Sequence, residues 1–364
     1  MRAIGRRTAT AAAAGGVLLV VAFVTYHLFD YRVFWEAGRH VLHGTSPYPS
    51  DAALARATRD YYVYPPLAAV ALAPLSLLPF GVAGVAYTGL SVAALVATLR
   101  VLDVRDARCY VVLLLWMPVL QAVALGTVAP FLALATALAW RYRDQVVVGA
   151  AAVGVAIAAK IFLWPLVVWL VATRRFRRAA EACAVGVVAV VLPWAALGFT
   201  DLRRYPLILQ RLFSAEGETS WSPTSLGHLA GVGWAVPAAE LAALAVVVVL
   251  AGRRDGDRRA FAAAVAASLV LSPIVWMHYL VVLVVPIALS SRRLSAAWLL
   301  PALAFWPLTD THRLLGVGLW VDAVAVGVVL LTLKTKPQLE VQRSVRRLIG
   351  LPSIAAISSP SPKV

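Results

Sequence analysis

Asp30, Lys160 and His278 stand out as reactive side chains in a chain that is otherwise mostly apolar. Asp30 is the first residue after a long apolar run, 11–29, where a membrane helix would end and water begin. A carboxylate is costly inside lipid and tolerated at that edge, so it stays ionised while facing the bilayer surface. Such a position suits a general base acting on a lipid-linked substrate. The same aspartate also precedes a helical stretch, where it would serve as an N-cap worth about 1 kcal/mol. The two roles are compatible. Lys160 is the only lysine before residue 334 and lies between two apolar runs with no acid nearby in sequence. It reads either as a lysine snorkelling at a hairpin tip or as a compact cation for a phosphate. His278 closes the turn Ser272-Pro273-Ile274-Val275-Trp276-Met277-His278-Tyr279. It is either an interfacial histidine bonded to backbone or a ligand for a lipid phosphate.

Aromatic and hydroxyl residues gather around these three. Tyr64 ends Tyr61-Tyr62-Val63-Tyr64-Pro65-Pro66, which is an aromatic belt or the rigid edge of a sugar site. Tyr31 follows Asp30, and Trp276 precedes His278. Trp221-Ser222-Pro223-Thr224-Ser225-Leu226 with His228 forms a candidate lid or acceptor platform. The pocket candidates are therefore Tyr31, Tyr64, Ser225, His228 and Trp276.

The elements that must carry these residues follow from composition. The chain has 364 residues, 62% hydrophobic and 14% charged, with mean hydropathy +0.83. Repeated apolar runs separated by arginine clusters imply an all-α polytopic membrane protein. The expected spans are 11–29, 81–99, 109–125, 127–140, 146–159, 161–173, 179–199, 235–251, 260–272, 274–290, 295–309 and 315–333. The run 65–79 is short and interrupted by Pro74 and Pro79, so it reads as interfacial or re-entrant. This threading gives about 12 crossings. It puts Arg100, Arg105, Arg108, Arg141, Arg143, Arg174, Arg175, Arg253, Arg254, Arg292 and Arg293 on the inner side. The net charge of +16 is then a topology signal, which removes the case for nucleic-acid binding.

Two outer loops result, 30–64 and 200–234, within a transmembrane domain 1–334 that precedes a basic, partly disordered cytoplasmic tail, 335–364. In the first loop Tyr31, Phe34, Trp35, Gly38, Val41 and Leu42 recur at helical spacing opposite Arg32, Glu36, Arg39 and His43. That pattern predicts an amphipathic helix in the membrane interface. Glu240 and Asp322 fall inside expected spans, as a helix-to-helix pair or as functional groups. Cys109 and Cys183 make neither a disulfide framework nor a metal site. No P-loop, nucleotide glycine fingerprint or HExxH motif is present, so no cofactor and no metal are expected.

The order of these landmarks resembles glycosyltransferase family 87. The carriers are Asp30 with Tyr31 and Phe34, Gly44 with Pro47-Tyr48, Tyr64-Pro65-Pro66 with Pro74, and then Gly126, Lys160, Ser225-Leu226 and Ser272-Pro273 with Trp276 and His278. The resemblance implies a GT-C type transferase in the plasma membrane with its active site on the outer face and both termini cytoplasmic. It implies inverting transfer of a sugar, usually mannose, from a polyprenyl-phosphate donor to a cell-envelope glycolipid or polysaccharide. Asp30 would be the general base, and Lys160 and His278 would hold the donor phosphate. Some positions depart from the family pattern: Thr127 stands where Gln is frequent, Ile161 where Pro is frequent, and Tyr279 where a second His is frequent. Polyprenyl-phosphate-arabinose is the alternative donor. A transporter or lipid flippase is the alternative class. Paired broken helices and midplane charges would favour that class, whereas polar residues crowded at one edge favour the enzyme.

Overall fold

The computed structural model describes residues 27–50, 61–145, 147–217, 220–301 and 326–327. Most of the spans 11–29 and 295–309, all of the span 315–333 but Val326 and Gly327, Asp322 and the tail 335–364 lie outside the described residues. Every regular element among the described residues is a helix.

Helix α1 (Phe29–Leu42) buries Tyr31, Phe34, Ala37 and Gly38 on one face and exposes Arg32, Glu36 and Arg39 on the other. The predicted amphipathic pattern is present. Its apolar face packs on helix α2 (Pro66–Leu72) and on the 3-10 turn Ala73–Leu77. Gly38 permits that approach, because a Cβ there would sit 2.2 Å from Ser76 Oγ. The N-cap expectation for Asp30 is corrected. Leu28, in a left-handed conformation (φ 53°), occupies the cap position, and Asp30 already lies in the first helical turn. The tight turn at His27 and Leu28 starts the helix earlier than the polar pattern indicates.

The membrane-type helices follow. They are α3 (Phe80–Val101), α4 (Ala107–Leu114), α5 (Met117–Leu125), α6 (Ala129–Arg141), α7 (Val148–Ala159), α8 (Pro165–Ala172) and α9 (Phe176–Ala196). Then come α10 (Tyr205–Glu216), α11 (Pro223–Leu229), α12 (Val236–Ala251), α13 (Gly256–Val270), α14 (Val284–Ser290) and α15 (Ala296–Leu299). Three segments, Phe80–Val101, Phe176–Ala196 and Gly233–Ala251, are long and apolar enough to cross a bilayer. Helices α4 and α5, bent by 64° at their junction, would make a fourth. The chain is a helical membrane protein. Several other expected crossings are short apolar helices, among them Val148–Ala159, Ile161–Ala172 and Met277–Ser290. A 12-residue helix is about 18 Å long, less than a hydrocarbon core of about 30 Å. These helices are short because they break at particular residues, Lys160 between α7 and α8 being one.

Arginine-rich loops converge on one end. Arg175 and Arg143 both bond Asp257, at 2.9 and 3.0 Å, and Arg175 also bonds Asp144 at 2.8 Å. The far ends of α7 and α8 are thereby clamped to the start of α13, which makes Lys160 the tip of a hairpin. Arg141 and Arg292 approach Asp103 at 3.4 and 3.8 Å, and the Leu294 amide donates to Asp106 at 3.0 Å. Two open depressions lie at this end, one lined by Arg105, Arg108, Arg292 and Arg293 and the other by Arg174 and Arg253. The hairpin itself rests on α9 through glycine: a Cβ on Gly154 would stand 2.4 Å from Ala182 O. Small residues let helix backbones approach closely where packing must supply the attraction.

At the opposite end Gly126 ends α5 at φ +72°. A Cβ there would meet Tyr31 Cβ at 2.5 Å. Gly126→Ala is therefore expected to destabilise the protein by more than the roughly 1–2 kcal/mol of a left-handed residue. A drop in the thermal unfolding midpoint of the detergent-solubilised protein would register it, and an unchanged midpoint would contradict this packing.

Candidate active site

The end away from the Asp103 and Asp257 ion-pair clusters holds the reactive residues. The Leu28 amide donates to Ala124 O at 3.1 Å, which docks the start of α1 on the end of α5. Tyr31 then stacks on Tyr87 at 4.3 Å between ring centroids, and the Tyr87 hydroxyl donates to Thr127 O at 3.0 Å. These contacts hold Asp30, one residue earlier, facing the tip of the α7–α8 hairpin.

At that tip Lys160 adopts an extended backbone (φ −157°, ψ 108°). Its Nζ lies 3.6 Å from the centroid of the Tyr279 ring and 5.4 Å from that of Tyr64. Ring faces attract a desolvated ammonium. Asp30 and Lys160 are both half-buried, and each feels the charge of the other and of Glu216. Desolvation holds the Asp30 carboxyl above the ordinary carboxylate range; Lys160 opposes this and Glu216 adds to it. Burial pushes the Lys160 ammonium below the ordinary lysine range, against the pull of the two carboxylates. From the sequence Asp30 is a carboxylate that stays ionised at the bilayer edge. The fold surrounds it with groups on which the ionisation of its carboxyl depends.

His278 is 5% exposed, and its Nδ1 is buried without a hydrogen-bond partner among the described residues. Its backbone amide donates to Gln121 Oε1 at 3.1 Å. A buried polar atom left unsatisfied in a native fold calls for an explanation, and a ligand is one. Trp276 is half-buried, and its Nε1 donates to Glu216 Oε2 at 3.2 Å. The Trp221 amide donates to Val275 O at 2.8 Å, so the second long loop lies directly against the 272–279 turn.

Asp30, Lys160, Tyr64, Trp276 and His278 thus come together from four distant segments. Tyr31 is fully buried in the core and buttresses Asp30 from behind. Ser225 is 4% exposed and belongs to a triangle of hydroxyls with Ser220 and Ser222, at 2.7 and 2.8 Å, and it also donates to Gly217 O. That triangle braces the loop beneath Glu216. His228 is exposed on the last turn of α11, against Gly233. Glu216, Gln121 and Tyr279 complete the group. Gln121 had a sequence signal, as an amide inside an apolar run. Glu216 was legible only as one of several acids offsetting charge in an outer loop.

The family model for glycosyltransferase family 87 matches residues 62–277, more than half of the chain. The chain belongs to glycosyltransferase family 87. The matched region of this family 87 chain includes Tyr64, Lys160, Glu216 and Trp276; Asp30 precedes it and His278 follows it directly. The chain is also 32% identical over 248 residues to a polyprenol-phosphate-mannose-dependent alpha-(1-2)-phosphatidylinositol pentamannoside mannosyltransferase of Mycobacterium tuberculosis (strain CDC 1551 / Oshkosh). That alignment covers 61% of this chain and 56% of the relative, so the chain spans little more than half the length of the curated relative it matches. No solved structure matches it.

Proposed function

We propose that this chain is a membrane hexosyltransferase that moves mannose from a polyprenyl-phosphate donor to a hydroxyl of a cell-envelope glycolipid or polysaccharide. One observation carries the reading. A carboxylate, an ammonium and an unsatisfied imidazole from distant segments meet at the end of the helical bundle away from the Asp103 and Asp257 ion-pair clusters. Family membership and the name of the relative support the donor class.

In this reading Asp30 accepts the proton of the acceptor hydroxyl as that oxygen attacks the anomeric carbon. The bond from that carbon to the phosphate oxygen breaks, and polyprenyl phosphate leaves with the electron pair. Attack opposite the leaving group inverts the anomeric centre. Lys160 and His278 face the phosphate and stabilise the charge that grows on it, which is where fixed polar groups lower a barrier most. Tyr64 and Trp276 flank the sugar.

Purified protein supplied with polyprenyl-phosphate-mannose and envelope glycolipids should yield products heavier by one hexose in mass spectrometry. Transfer from polyprenyl-phosphate-arabinose alone would instead identify an arabinofuranosyltransferase. Flux into vesicles with no turnover of either donor would mean a transporter or flippase.

The reading also puts the Asp30 end outside the plasma membrane, the arginine end and both termini inside, and about 12 segments across, with α1 at the outer interface. Ser214, exposed on α10, tests this. Ser214→Cys in a Cys183→Ser background is expected to react with an impermeant maleimide added to intact cells. Labelling only after permeabilisation would reverse the orientation.

A further inference from the structure

Glu216 takes no part in the proton transfer or phosphate binding put forward above, yet its charge acts on both the Asp30 carboxyl and the Lys160 ammonium. It is the last residue of α10, and Trp276 Nε1 bonds its Oε2 at 3.2 Å. The following residue, Gly217, is held through its carbonyl by Ser225, and the Trp221 amide ties the next stretch to Val275 O. The carboxylate is therefore carried on a braced loop.

We propose, building on the donor class put forward above, that Glu216 recognises the sugar, accepting hydrogen bonds from hydroxyls of the hexosyl unit beside the Trp276 indole.

Asp30 and Glu216 both act on Lys160, so two carboxylates share one ammonium. A second carboxylate hinders the base, because its field favours the protonated form of Asp30. It would also repel an anionic phosphodiester. It is tolerable in a donor site only where it faces the uncharged part of the donor. A hexose presents a set of O–H donors, and an ionised carboxylate has acceptors only. The neighbouring groups fit the same ligand: an indole offers an apolar face to sugar C–H groups while its N–H fixes the carboxylate. The phosphate is left to Lys160 and His278, and the division of labour follows the sign of each group.

The test compares a ligand that carries the sugar with one that lacks it, the bare monoester also bearing the greater negative charge at neutral pH. Binding of polyprenyl-phosphate-mannose and of polyprenyl phosphate alone is measured on the full-length protein in nanodiscs, wild type against Glu216→Gln. Glutamine keeps a carbonyl oxygen for Trp276, so a purely structural role survives the change. Glu216→Gln is expected to weaken the mannosylated donor by about 10- to 100-fold, the range for hydrogen bonds to a charged group. Affinity for bare polyprenyl phosphate should stay the same or tighten, because a negative charge has left the site. Equal affinity of wild type and variant for both ligands, or an equal loss for both, would overturn the proposal. Wild-type protein that binds neither ligand would overturn the donor class itself, a result separable from the first two. Glu216→Asp, which keeps the charge but withdraws it by one methylene, should fall between wild type and Glu216→Gln for the mannosylated donor alone.

Discussion

Asp30→Asn is expected to slow sugar transfer by about a hundred- to ten-thousandfold, the usual share of a general base, while the protein stays folded. The second half of that expectation comes from the structure. Asp30 caps no helix, since Leu28 holds the cap position. Its carboxylate is also held above the ordinary range by desolvation, so ionisation at neutral pH works against the fold. The sign is the reverse of a salt-bridged acid: a raised folded pKa means that stability is lost, not gained, as pH rises through it. Replacing the carboxylate with a neutral amide should leave the thermal unfolding midpoint unchanged or higher. A large fall in that midpoint would mean that Asp30 is structural, and full activity would mean that another group takes the proton.

The raised pKa also governs the pH profile. A base acts only when ionised, so kcat/KM should fall on the acid side at a pH above the roughly 4 of an exposed aspartate. A profile flat down to that value would show that the donor, once bound, restores ordinary ionisation or that Asp30 is not the base.

Lys160→Met is expected to weaken donor binding on the order of a hundredfold, as happens when one partner of a desolvated charge pair is removed. The variant should leave a second signature. Lys160 is the cation that counters the desolvation of Asp30. Without it Asp30 loses the charge that lowers its pKa while Glu216 still raises it, and the acid limb of kcat/KM should move to still higher pH. A lysine that merely snorkels to the surface would produce neither effect. Lys160→Arg should rescue only in part, because the longer, planar guanidinium stacks on the Tyr279 ring but cannot present the compact point charge of an ammonium to the phosphate from the same place. Donor affinity by titration and a pH series of initial rates check the two signatures separately.

Much of this protein is legible along the chain, wherever a property belongs to one segment. The apolar runs and their arginine boundaries set the class, because hydrocarbon excludes unpaired charge. The 3.6-residue period of Tyr31, Phe34 and Gly38 marks the buried face of α1, and that face is buried. The same charge pattern sorted the loops, and the fold draws the arginine loops to one end through Asp257 and Asp103. Lengths were less legible. Hydropathy merges Val148–Ala159 and Ile161–Ala172 with full spans, while the backbone stops each of them at Lys160.

The chemistry of the site was decided by tertiary structure. In sequence Lys160 has no acid near it; in space it sits between aromatic rings, in the fields of Asp30 and Glu216. Asp30 reads as a carboxylate at the membrane edge, and packing makes it a desolvated carboxyl. Ser225 reads as a pocket hydroxyl, and the fold spends it on a brace. Periodicity reports which face of an element is apolar, and that was enough to find the candidates. Proton affinity depends on burial and on charges through space, and those charges come from segments that only the folded chain brings together.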